Sequence, residues 1–150
     1  MPGTLVDTNV WLASVFATHP GYAVARQVLK TASPALPVLF CRATEQCLLR
    51  LLTRPALLRA YGAVGLSNRD ALLTLKALQG LPSVRFADEP PGTVARWHAL
   101  AARDTASPKL WLDAYLAAFA LAGGLGLVTL DADFRQFGSQ GLEASVLVVG

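Results

Sequence analysis

The chain has ten acidic residues among 150, and four of them stand where an acid is least at home. Asp7 directly follows the short apolar run Thr4-Leu5-Val6, and Asp131 directly follows the continuous apolar run Leu125 to Leu130. Asp113 lies within LWLDAYLAAF, where nearly every neighbour is apolar, and Glu45 comes one helical turn before Leu48-Leu49. A carboxylate rarely stays buried without a partner or a metal. Several converging at one place repel one another unless a divalent cation neutralises them, and an all-oxygen donor set suits Mg2+ or Mn2+. An ion held in that way and completed by water serves phosphodiester hydrolysis.

Each acid alone has an ordinary explanation. An Asp just after a strand is most often a helix cap or a turn residue. A buried ion pair with an arginine would account for Asp113, and Glu45 would be unremarkable facing solvent. The ordered set carries the chemical reading, because four ordinary explanations would have to hold independently.

The elements that position these acids are legible in the pattern. Thr4 to Val6 reads as a strand running into a helix that Thr8 or Asn9 caps. Helical spacing recurs from Tyr22 to Thr31, from Arg42 through Leu52 and, after the capping-box-like Ser67-Asn68-Arg69-Asp70, along the face Leu72, Leu75, Leu78. Val38 to Phe40 is a short buried strand, and Val84 to Ala87 alternates as an edge strand does. Helices follow from Thr93 to Arg103 and, started by Ser107-Pro108, from Lys109 to Ala122. Gly123 and Gly124 end the latter, Leu125 to Leu130 is a strand, and Val146 to Val149 is the last. Apolar strands alternating with helices indicate an α/β sandwich with a mainly parallel sheet covered on both faces. In such sheets ligands bind beyond the carboxyl ends of the strands, where strand order reverses. Asp7 and Asp131 belong at that edge.

Composition bounds the function classes. At 53% hydrophobic and 15% charged, with mean hydropathy +0.43, the chain excludes intrinsic disorder and is expected to form one domain over residues 1–150. A net charge of +3 permits a polyanionic partner without requiring one. Cys41 and Cys47 cannot build a disulfide framework, no secretory signal is visible, and a cytoplasmic location is expected. The uncharged stretch Ala114–Leu130 is 17 residues long and broken by glycines, so no membrane span is expected. His19 and His98 lack a partner at zinc spacing. Trp11, Trp97, Trp111, Tyr115 and Phe119 sit among aliphatic neighbours and read as core or interface residues.

Four segments, LVDTNVWL, ATEQCLLRLLT, KLWLDAYLAAFA and LVTLDADF, in this order, resemble the signature blocks of the PIN-domain family, and most nearly its VapC toxins. The likeness runs from Leu5 to the final strand. It implies a three-layer sandwich with a five-stranded, mainly parallel sheet, and a Mg2+- or Mn2+-dependent endoribonuclease with one or two ions. It further implies a homodimer and inhibition by a VapB-type antitoxin. Matched block by block, Asp7, Glu45, Asp113 and Asp131 become the catalytic and metal-holding acids, with Asp133 as an alternative to Asp131. Thr8, Asn9 and Thr129 become supporting residues, and Arg50 and Lys109 are placed to meet RNA phosphate.

Two rival readings share some of these residues. The run ending in Asp131-Ala132-Asp133 also matches the strand-plus-DxD pattern of haloacid-dehalogenase-type phosphatases, in which the first Asp is the nucleophile. That motif ordinarily opens its domain, and here fewer than twenty residues follow it. A catalytically silent PIN scaffold is the other rival, and no missing acid motivates it.

Overall fold

A computed structural model of the chain describes residues 3–150. In chain order the elements are β1 (Thr4–Val6), α1 (Thr8–Val15), α2 (Tyr22–Thr31), β2 (Val38–Phe40), α3 (Arg42–Leu52), α4 (Pro55–Ala60), α5 (Asn68–Gln79), β3 (Val84–Phe86), α6 (Thr93–Ala101), α7 (Leu110–Gly123), β4 (Gly126–Thr129) and β5 (Ala144–Val146), with a 3₁₀ segment at Ala132–Gln140. The five strands form one sheet in the order β3-β2-β1-β4-β5. Every pairing is parallel, with Val6 opposite Val128 and Thr4 opposite Val38.

Because successive strand side chains point to opposite faces, short apolar strands feed two cores. Leu5, Leu39 and Leu127 face α7 and the 3₁₀ segment, joining Leu116, Phe119, Phe134 and Phe137. Val6, Val38, Phe40 and Val128 face the other way, onto Trp11, Leu48, Leu52 and Leu75 from α1, α3 and α5. Trp11 stacks flat on Phe40, with centroids 3.8 Å apart. Helix α7 carries Ala114, Ala117, Ala118 and Ala120, all fully buried, and these small side chains let the helix pack close over β1 and β4. Gly124, at φ +63°, reverses the chain from α7 into β4 through a left-handed conformation that suits glycine. The result is the three-layer sandwich with a five-stranded parallel sheet expected from the sequence.

Some local expectations need correction. Asp7, not Thr8 or Asn9, is the N-cap of α1, because the helix begins directly at Thr8. On α5 the buried stripe is Ala71, Leu75 and Leu78, and Leu72 faces outward. The last strand ends at Val146 instead of beginning there. Val146 pairs with Thr129, the final residue of β4, so the chain beyond has little strand left to pair with, and Val148 and Val149 are exposed. Trp111 is exposed outside both cores, with Leu112 beside it also exposed, so of the core and interface readings only the interface one is left for it. Both cysteines are free. Among the described residues no helix is long and apolar enough to cross a membrane.

Candidate active site

Strand order places β1 between strands that continue in opposite directions across the sheet: β2 and β3 lie to one side, β4 and β5 to the other. The carboxyl ends of β1 and β4 are therefore the point where strand order reverses. A cleft of about 320 Å3 opens there, and Asp7, Thr8, Asn9, Asp113 and Asp131 line it together with Lys109, Arg50 and Arg54. Leu12, Leu51, Leu112 and Cys47 complete its walls.

A polar network ties the two strand ends. Thr8 N–H donates to Asp7 Oδ1 at 2.7 Å, and Thr129 Oγ1 donates to Asp7 Oδ2 at 2.7 Å. The Thr129 hydroxyl accepts in turn from Asn9 Nδ2 at 3.3 Å and from the Asp131 amide at 2.9 Å. It thereby uses its one donor and both acceptor positions. Asn9 Oδ1 accepts from the Leu130 amide at 3.1 Å. Both oxygens of Asp7 are fixed in direction. Burial raises its carboxyl above the ordinary range, and the Thr129 and Thr8 bonds oppose that rise.

Asp113 reaches the same cleft from the first turn of α7. Burial first, and then repulsion from Asp7, Asp131 and Asp133, push its carboxyl up to about 6 against the pull of Lys109. Asp131 caps the 3₁₀ segment, accepting from the Asp133 amide at 2.9 Å. Partial burial works to raise it, but the Lys109 ammonium and the Asp133 amide outweigh this and leave it below the ordinary range. Lys109 Nζ donates to Asp131 Oδ2, and to Asp133 Oδ2 at 3.0 Å. It also stands 3.9 Å from Asp113 Oδ2. Asp133 itself is exposed at the rim.

Glu45 does not join these acids. It is buried, with Oε1 accepting from Arg42 at 2.5 Å and Oε2 from Gln79 of α5. The physical reason is helical phase. Glu45, Leu48 and Leu52 form one buried stripe on α3, whereas Cys47, Arg50 and Leu51 recur at helical spacing on the stripe that faces the cleft. Cys47 lies two positions after Glu45, about 200° around the axis. Cys47 and Leu51 are cleft residues that the sequence pattern does not mark by chemistry, although the helical period through Arg50 places them on its face, and Arg54 is one of the arginines whose recurrence near this helix suggests a basic face for RNA. Burial pushes the Cys47 thiol up.

The donor set fits a hard divalent cation. Asp7, Asp113 and Asp131 present carboxylate oxygens to one cleft, with Asp133 at its rim, and Asp113 is shifted by the others in the way mutually repelling acids are. Among the described residues the Thr8 hydroxyl, buried in the cleft wall near the Cys47 thiol, has no well-formed hydrogen bond. Among the described residues no three acid, histidine or cysteine side chains are already closed up as a ligand set.

Comparison with known proteins agrees with this architecture. The PIN-domain model matches residues 4–139. The chain belongs to the PIN-domain family. Within that family it is 45% identical over 144 residues to Ribonuclease VapC41 of Mycobacterium tuberculosis, an alignment covering 95% of this chain and 97% of the relative. Among solved structures, this PIN domain is similar in fold to the sarcin–ricin-loop-cleaving toxin VapC20 of Mycobacterium tuberculosis, with TM-score 0.64 at 20% identity, covering 90% of this chain and 95% of that one. It is also similar to a chain of VapBC2 from Rickettsia felis, solved with a promoter DNA fragment, with TM-score 0.66 at 12% identity over 96% and 98% of the two chains. VapBC-1 of nontypeable Haemophilus influenzae gives TM-score 0.62 at 15% identity over 96% and 97%.

Proposed function

We propose that this PIN domain is the endoribonuclease toxin of a VapBC-type toxin–antitoxin pair, acting in the cytoplasm and dependent on Mg2+ or Mn2+. The observation that carries the reading is the meeting of Asp7, Asp113 and Asp131 in one cleft at the strand-order reversal. The 45% identity to a ribonuclease over nearly the whole chain supports RNA as the substrate class.

Asp7, Asp113 and Asp131 would hold the cation, with Thr129 and Thr8 orienting the Asp7 carboxylate. When bound, a divalent cation activates water and neutralises charge developing on the phosphodiester. The chain's own part is to aim these carboxylates and to confine the reacting phosphate. Arg50 and Arg54 line the wall formed by α3 and the turn after it, where they can meet the phosphates flanking the scissile bond. Leu12, Leu51 and Leu112 make the remaining wall apolar, which limits water around the reacting group.

The partners proposed are RNA, a VapB-type antitoxin and a second copy of the chain. Exposed Trp111, packed edge-on against Trp97 of α6, supports association, since large exposed apolar groups often mark contact surfaces. A purified particle with the mass of a single chain would count against the dimer.

A phosphatase working through Asp131 and Asp133 gains no support. Asp131 is held by Lys109 and the Asp133 amide, and Asp7 and Asp113 would have no role in such an enzyme. Nor does a silent scaffold, because three buried or half-buried acids are brought together at a cost that binding a partner elsewhere does not require.

The deciding experiment is cleavage of a mixed cellular RNA pool by the antitoxin-free protein with Mn2+ or Mg2+ against EDTA, beside Asp7→Asn and Asp113→Asn. Discrete fragments that vanish with EDTA and in both folded variants are expected. Cleavage undiminished in either arm refutes the assignment.

A further inference from the structure

Lys109 holds an unusual position. It is the N-cap residue of α7, it offers no side-chain cap to that helix, and its long, largely exposed side chain carries its ammonium to the acid cluster. Its ammonium contacts Asp131 and Asp133 and stands near Asp113, so one cation serves three carboxylates. Among the described residues these are the only ion pairs besides Arg42 with Glu45. Arg50 and Arg54, which line the same cleft, are paired with none of its acids.

We propose that Lys109 is a tethered cation that competes with the divalent ion for the acid cluster, and so sets the ion concentration at which the site loads. This rests on the reading of Asp7, Asp113 and Asp131 as a divalent-cation site. Lys109 Nζ donates to Asp131 Oδ2 and the Asp133 amide donates to Asp131 Oδ1, so an ion that ligates Asp131 shares its carboxylate with the ammonium and is repelled by it. Withdrawal of Lys109 from Asp131 relieves that repulsion. The side chain is 64% exposed and has four rotatable bonds from its backbone, so withdrawal into solvent meets no packing obstacle.

The same contacts give Lys109 a second consequence. With the divalent ion scarce, the ammonium offsets repulsion among Asp113, Asp131 and Asp133.

The test is calorimetric titration of Mn2+ into EDTA-stripped protein at low ionic strength, comparing the wild type with Lys109→Gln and Lys109→Arg. Lys109→Gln should bind Mn2+ about two- to fivefold tighter, the scale of one exposed charge interaction removed. Lys109→Arg, which keeps the charge, should bind no tighter than the wild type. Thermal unfolding supplies a reading independent of activity. Lys109→Gln should melt below the wild type in EDTA and gain more from saturating Mn2+. Equal or weaker Mn2+ binding by Lys109→Gln, or tighter binding by Lys109→Arg, overturns the competition. Failure of all three proteins to bind Mn2+ overturns the divalent-cation reading itself, a result recognisably different because no variant then responds to the ion.

Discussion

Thr129 Oγ1 donates a 2.7 Å hydrogen bond to Asp7 Oδ2 across 122 positions of sequence, joining the ends of β4 and β1. The hydroxyl is fully buried, and it also receives the Asp131 amide. One side chain therefore sets the direction of one cleft acid and the backbone of another.

Thr129→Val keeps the volume close but strips this hydroxyl out. Asp7 and the Asp131 amide then lose partners in a buried site, at a cost of about 1–3 kcal/mol. The variant should unfold at lower urea concentration and bind Mn2+ more weakly, whereas Thr129→Ser should recover most of both. Unchanged Mn2+ affinity in Thr129→Val would show that Asp7 is oriented without it.

The raised carboxyl of Asp113 carries a pH dependence with a definite sign. An acid whose folded pKa lies above its unfolded value binds more protons in the folded state, so its contribution to stability falls as pH rises through the interval between them. For Asp113 that interval runs from 3.8 to about 6, and the buried Asp7 shifts in the same direction. Urea unfolding in EDTA should show stability declining from pH 4 to pH 7, with Asp113→Asn removing part of the decline. An identical pH profile in wild type and variant would contradict the assigned shift.

Glu45 offers a sharp test of helical phase. Its two oxygens are occupied by Arg42 and Gln79 on the side of α3 away from the cleft. Glu45→Gln should retain RNA cleavage within a few-fold of wild type, losing stability through the Arg42 pair, while Asp113→Asn loses cleavage. Loss of cleavage by a folded Glu45→Gln would return Glu45 to the catalytic set.

Arg50 and Arg54 should act through phosphate contacts. If each meets one phosphate, replacing either by Ala weakens RNA binding and reduces the salt dependence of log affinity by about 1 per contact. Binding is best measured on the non-cleaving Asp113→Asn background over a range of KCl. A slope equal to the parent's in both replacements would remove these arginines from the RNA path.

How much of this was legible beforehand depends on the range of the interaction concerned. Strand and helix positions came from local periodicity, and β1, β2, α2 and α3 fall where that periodicity put them. Asp7 and Asp131 were assigned to one edge because each directly follows an apolar strand, and parallel strands present their carboxyl ends together. Asp113 was marked by its apolar surroundings alone. These are properties of the chain read a few residues at a time, together with one rule of sheet topology.

Tertiary structure decided the rest. Burial of Glu45 was compatible with the cleft or with the contact between α3 and α5, and only the rotation of α3 against its neighbours chose the latter. The extent of β5 depended on where β4 stops, since a strand continues only while its neighbour offers hydrogen bonds. That Lys109 also meets carboxylates is decided by distances between elements, which no local pattern gives. Residue types declare which chemistry is available, because charge and polarity travel with the side chain. Which groups share a volume of a few hundred Å3 depends on the relative rotation and stop points of packed elements, which no local pattern encodes.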